Sequence, residues 1–178
     1  RNIIAIAFLF LALSFFSPTK SFALMADIGT AELAKEAKII VQGEVKSVKS
    51  YRGINNVIYT RASVSVSDVF KGKIAKKNIT VEYEGGEVGN IGMSVEDEPT
   101  LEKGEQVLLF LTNSFWRKNI YYVVGGVLGK YAICLDDTVR VGVSCNESDE
   151  TDVDEEEDKI PEIKQTLDEL LNEIENAE

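Results

Sequence analysis

The chain has 178 residues, enough for one ordinary domain and an appendage rather than two full domains, and 44% of them are hydrophobic. Its formal charge is −11, from 30 acidic and 19 basic residues, and it contains no histidine. That last count excludes a Ser-His-Asp or Cys-His nucleophilic site, a His-ligated zinc and a histidine proton shuttle.

Residues 3–16 (IIAIAFLFLALSFF) are almost unbroken apolar sequence, the length of a signal-peptide core and short for a membrane span. Ser21-Phe22-Ala23 then places small residues at both recognition positions of a cleavage site. Residues 1–23 therefore read as a signal peptide, with the mature protein starting near Leu24 in a secreted or extracytoplasmic (cell-envelope) location. Left in place, the same stretch would tie the chain to a membrane.

Charge divides the mature chain in two. Residues 24–146 hold 15 acidic and 15 basic residues, whereas residues 147–178 hold 15 acidic and two basic. A neutral body thus carries a strongly acidic tail.

In the body, Thr30 to Ala37 reads as a short helix with Thr30 as its N-cap. Alternation then takes over, with Ile39, Val41, Gly43 and Val45 on one face of a strand running to about Tyr51. Arg52 to Asn56 is a turn. The next strand, Val57 to Phe70, sets Ile58, Ala62, Val64 and Val66 against Arg61, Ser63, Ser65 and Ser67 on its other face. Ile79, Val81 and Tyr83 alternate in a third strand, and Glu82 and Glu84 fall on its opposite, wet face. Gly85 to Met93, with four glycines in eight positions, suits a bulged, sharply coiled corner. Val107 to Leu111 is apolar on both faces, as a central strand should be. Tyr121 to Val124, Lys130 to Cys134 and Thr138 to Val143 complete six to eight strands, and the fold class is mainly β, a small closed barrel. Cys134 and Cys145 form an even pair in an exported chain and are disulfide candidates. They flank a hairpin turning at Asp136-Asp137, with Cys134 opposite Val139, so a bond requires the chain to bend back.

The tail has two parts. Residues 147–159 form an acidic linker whose self-repulsion favours an extended, unfolded chain. Over 160–178, Ile160, Ile163, Leu167, Leu170, Leu171 and Ile174 make one apolar stripe of an amphipathic helix, with Pro161 in its first turn. Such a short helix is marginal alone. It needs the body, a second copy or a partner to lie on, and an extended linker gives it a reach of up to ~45 Å.

These strand patterns carry a resemblance. A helix followed by AKIIVQGEVKSVKS, YTRASVSVSDVFKG, KNITVEYEGGEVGNIGM, LEKGEQVLLFL and YYVVGGVLGKYAI resembles the OB-fold module of secreted netrin-like domains over residues 30–135. It is similar as well to the N-terminal domain of the tissue inhibitors of metalloproteinases. The match is closer to small secreted prokaryotic proteins with a GGEVGGIGM-like loop. The resemblance implies an OB-like barrel that binds protein. It does not transfer the inhibitory mechanism, because those inhibitors chelate zinc through an N-terminal cysteine and no cysteine here precedes Cys134.

Other chemistry finds little support. Gly125 to Tyr131 departs from the phosphate-loop pattern, with Val at 124 and Tyr at 131. The glycine run at 85–92 carries glutamates and no lysine, the wrong charge for phosphate. A neutral body with an acidic tail is unsuited to nucleic acid, and Lys71 to Lys77 reads as a solvated turn. The acidic run lacks a calcium-loop pattern. Glu44, Glu82, Glu84 and Glu87 lie on or beside strands and are candidates for a two-carboxylate hydrolase, chiefly Glu82 or Glu84, and a solvated strand face explains those two more simply. Phe115-Trp116, just past a strand end, reads either as an exposed recognition pair or as packing for the barrel mouth. The expectation is a secreted, non-enzymatic binding module with no catalytic residue, metal or cofactor and no nucleic-acid partner. It would recognise another exported or envelope protein, a peptidase being the first suggestion of the resemblance. The alternative is a structural or assembly protein that self-associates or docks through its C-terminal helix.

Overall fold

A computed structural model of the chain describes residues 29–145 and 165–177. The expected signal peptide, the expected acidic linker and the first residues of the expected C-terminal helix lie outside them.

Helix α1 (Thr30–Glu36) leads into two long strands, β1 (Ile39–Arg52) and β2 (Ile58–Lys71), joined by a 3₁₀ turn at Ile54–Asn56. Strand β3 (Asn78–Glu84) follows, then the short pair β4 (Gly86–Val88) and β5 (Ile91–Met93), and then β6 (Gln106–Asn113) and β7 (Ile120–Val123). Strand β1 pairs antiparallel with both β2 and β6, and β3 pairs parallel with β7, so that β1-β2-β3-β7-β6 closes on itself. The molecule is thus mainly β, a closed five-stranded OB-like barrel. Strands β8 (Lys130–Ile133) and β9 (Thr138–Val141) extend the sheet beyond the barrel, and the two-residue β10 (Gln165–Thr166) adds to β9 ahead of helix α2 (Leu167–Ala177).

Alternation in the sequence becomes an inside and an outside. Ile39, Val41, Val45, Ala62, Val64, Val66, Ile79, Val81 and Tyr83 all enter one buried cluster, the barrel interior. Strand β6 is apolar on both faces for a definite reason. Val107, Leu109 and Leu111 point into the barrel, while Leu108 and Phe110 point outward into a second core roofed by α1 and α2. Leu170 and Ile174 of α2 are 0% and 3% exposed there, and each buried side chain of this size contributes about 1.5–3 kcal/mol.

Several local expectations are corrected. Thr30 is the first helical residue rather than the cap; Gly29 caps α1, and the Thr30 hydroxyl bonds the Tyr131 hydroxyl at 3.2 Å instead. Among the described residues the C-terminal helix begins at Leu167, and Gln165–Thr166 just ahead of it is strand β10. Thr166 and Glu169 form a reciprocal capping box there, with Thr166 N–H donating to Glu169 Oε2 at 3.0 Å and Glu169 N–H donating to Thr166 Oγ1 at 3.3 Å. The glycine run is not a bulged corner but the β4–β5 hairpin, folded back over the ends of β1 and β2. Gly86 makes that approach possible, since a Cβ there would collide with the hydroxyls of Thr60 and Ser50.

Cys134 and Cys145 are joined by a disulfide. The hairpin register places Ile133, not Cys134, opposite Val139, because Asp137 takes a left-handed conformation (φ 61°) that adds a residue to the turn. Gly142 (φ 74°) then turns the chain back toward Cys134.

Candidate functional site

The outer face of β1, β2, β3 and β7 carries polar and aromatic side chains, and they converge on one carboxylate. Glu82, mid-strand in β3, is 2% exposed. It projects away from the barrel interior, between inward-facing Val81 and Tyr83. Its shielding comes from neighbouring side chains rather than from depth in the fold. Register explains the first partner: Arg61 on β2 lies directly opposite Glu82, and its Nε donates to Oε2 at 2.7 Å. Tyr51 on β1 donates its hydroxyl to the same oxygen at 2.7 Å. From the β6–β7 loop, Arg117 grips both oxygens, with Nη1 donating to Oε2 at 2.9 Å and Nη2 to Oε1. Arg117 Nη2 also donates to the Tyr122 hydroxyl at 2.5 Å. A two-pronged guanidinium contact of this kind is both strong and directional.

Burial pushes the Glu82 carboxyl upward. The hydrogen bonds from Arg117, Tyr51 and Arg61 outweigh it, and the group is held below the usual carboxylate range. Arg117 is raised in turn by its bonds to Glu82. With its oxygens occupied by donors and its basicity lowered, Glu82 is poorly suited to take up a proton. Its position is that of a strut, not of a general base.

Beside this strut lies an open cleft of about 570 Å³. Tyr51 and Tyr59, directly opposite each other on β1 and β2, stack with centroids 5.9 Å apart. The Arg61 guanidinium lies 4.6 Å from the Tyr51 centroid on the ring face. The Tyr59 ring packs against Gly53 so closely that a Cβ there would fall 2.6 Å from it. Glu84 and Glu98 complete the polar wall. A second hollow of about 490 Å³, walled in part by the β4–β5 hairpin, shares Tyr83, Glu84 and Glu98 with the first. The β1–β2 and β6–β7 loops border the cleft, and in OB-folds the face of the second and third strands between the corresponding loops is where ligands bind.

The expected wet face for Glu82 and Glu84 is half right: Glu84 is exposed, and Glu82 is not. Phe115 and Trp116 are not packed on the barrel mouth. Both are 87% exposed, in edge-to-face contact with centroids 4.7 Å apart. Their loop is fixed on both sides of them: Ser114 N–H donates to the Ile120 carbonyl at 2.9 Å, Arg117 N–H donates to Ser114 Oγ at 3.2 Å, and Arg117 is clamped to Glu82. Ile54, at the tip of the β1–β2 turn, is 86% exposed and also lines the cleft. Cys134 and Cys145 lie in the β8–β9 region, outside the residues lining either hollow.

Lys130, the lysine of the glycine-rich 125–131 stretch, is 1% exposed and pairs with Glu105 at 2.7 Å, so it presents no charge to a phosphate. Among the described residues no group of three or more His, Cys, Asp or Glu side chains could hold a metal ion, and no helix is long and apolar enough to cross a membrane. Compared with known proteins, the chain matches no family model and no curated protein.

Sequence reasoning missed the Glu82 cluster because its members come from four strands and a loop. The available signal was a concentration of Tyr and Arg at or near the outward positions: Tyr51, Tyr59, Arg61, Arg117 and Tyr122.

Proposed function

We propose that the protein is a secreted, non-enzymatic binding module that recognises another exported or envelope protein through the loop-bordered face around Glu82. The observation that carries this reading is Phe115-Trp116, two large aromatic side chains held 87% exposed on a loop clamped by the very next residue, Arg117. Rigid exposed aromatics are what protein interfaces use as anchors, because little conformational entropy is lost when they are buried. The disulfide supports an oxidising, exported setting. Docking of Leu170 and Ile174 on the body favours recognition by this face over assembly through the C-terminal helix, whose buried residues already have a partner.

The test is affinity capture from the envelope and culture fluid of the source, with the purified wild-type protein and with Phe115→Ala/Trp116→Ala. One exported protein, enriched in stoichiometric amount by the wild type and lost with the variant, is expected. An envelope peptidase is the first partner class to assay. No enrichment at concentrations that trap a micromolar complex would overturn the reading.

A further inference from the structure

We infer that the cleft beside Glu82 is a receptor for a basic side chain, an arginine or lysine presented by the partner protein. The inference rests on the recognition reading above and names the chemistry its face would read.

The argument begins with charge. Five ionisable side chains other than tyrosine line the cleft: Arg61, Arg117, Glu82, Glu84 and Glu98. Both arginines are committed to Glu82, so one carboxylate consumes two cations. Glu84 and Glu98 are left with no ion pair among the described residues. They share the cleft wall: Glu84 lies directly opposite Tyr59 in the β2–β3 register, and both carboxylates line the same hollow. Burial, and then the neighbouring charges of Glu84 and Asp97, push the Glu98 carboxyl above its ordinary value, the behaviour of negative charge lacking a counterion.

The walls are suited to a cation as well. The Arg61 guanidinium lies over the Tyr51 face at 4.6 Å, so a cation–aromatic contact is already part of the cleft wall. The cleft volume, about 570 Å³, leaves ample room for a long side chain. The lining includes Ile54; Phe115 and Trp116 stand outside it, on the loop that supplies Arg117. Apolar contacts around a charged anchor exclude water from it and strengthen its pairing. A metal ion fits less well, since two carboxylates flanked by aromatic rings supply too few hard oxygens.

The probe is acetyl-Gly-Arg-Gly-amide, titrated into the isotopically labelled full chain, with the citrulline peptide as its uncharged counterpart. Amide signals of Gly53, Gly85 and Glu98 should move with the arginine peptide and stay still with the citrulline one. Glu84→Gln/Glu98→Gln should weaken binding at least tenfold while leaving the remaining spectrum unchanged, because neither residue is part of the Glu82 strut. Equal response to the two peptides, equal affinity in the double variant, or shifts confined to residues 147–159 would overturn the inference. So would cleft shifts produced by a neutral hexasaccharide and not by the arginine peptide. Partner capture separates the two proposals. Wild-type protein that captures nothing removes the recognition reading. Capture undiminished in Glu84→Gln/Glu98→Gln removes only the basic-side-chain pocket.

Discussion

Glu82 and Glu105 are both shielded from water, at 2% and 6% side-chain exposure, yet they belong to different kinds of structure. Glu105 meets a single cation, Lys130, which is itself 1% exposed and donates also to the Thr100 carbonyl at 2.6 Å. The other Glu105 oxygen accepts the Glu102 amide at 3.0 Å. Both members of that pair are shielded from water, and together they hold the β5–β6 connection against β8. Glu82 instead meets two arginines that remain 42% and 41% exposed and two tyrosines on the rim of a cleft. Burial of a carboxylate does not by itself mark a working site. The two clusters differ in whether the partners of the carboxylate still face solvent.

The comparison makes graded predictions. Lys130→Met should be the most damaging single change, about 3–5 kcal/mol by urea denaturation, because it strands a buried carboxylate. Adding Glu105→Leu should recover much of that loss; a double variant as unstable as the single one would show that the pair matters through shape rather than charge. Removing the disulfide by Cys134→Ala/Cys145→Ala should cost about 3 kcal/mol, the chain-entropy value for a loop closed over a sequence separation of 11. Its effect should be independent of pH. Glu82→Gln should cost less, about 1–2 kcal/mol, since the freed guanidinia can turn to water and solvent already screens them.

That last effect has a pH signature. The Glu82 carboxyl is depressed below its ordinary 4.5, so its contribution is fully present above that value and disappears as the pH falls through the lowered folded-state value. The stability gap between wild type and Glu82→Gln should therefore close in acid; a constant gap would mean that the cluster acts by packing. The smallest effect has the opposite sign. Glu98→Gln should stabilise the protein slightly at neutral pH, by about 0.5 kcal/mol, because it removes a charge that burial and its neighbours disfavour.

Much of the barrel was legible because period-two alternation in β1, β2 and β3 directly encodes which face is inside. The doubly apolar β6 could be read as central, but its second core could not be assigned, since it is completed by Leu170 and Ile174 much later in the chain. The capping box at Thr166-Glu169 was readable in principle; an apolar stripe extending back to Ile160 obscured it. Phe115-Trp116 stood out as a pair, though exposure depends on where Arg117 anchors the loop. The cleft itself was hidden. Arg61 meets Glu82 only through the β2–β3 register, and Arg117 reaches Glu82 across 35 residues of sequence.

The chain between Cys145 and Gln165 leaves and rejoins the body at one hairpin. Cys145 is bonded to Cys134 at one end, and Gln165 pairs with Val139 at the other. A protease that cut anywhere within that interval would sever the chain without dismissing helix α2. Residues 165–177 would stay seated by the β10 pairing and by Leu170 and Ile174. The nicked molecule would run as two pieces on a denaturing gel and as one in native mass measurement, its helix having changed from a covalently tethered element into a non-covalent subunit.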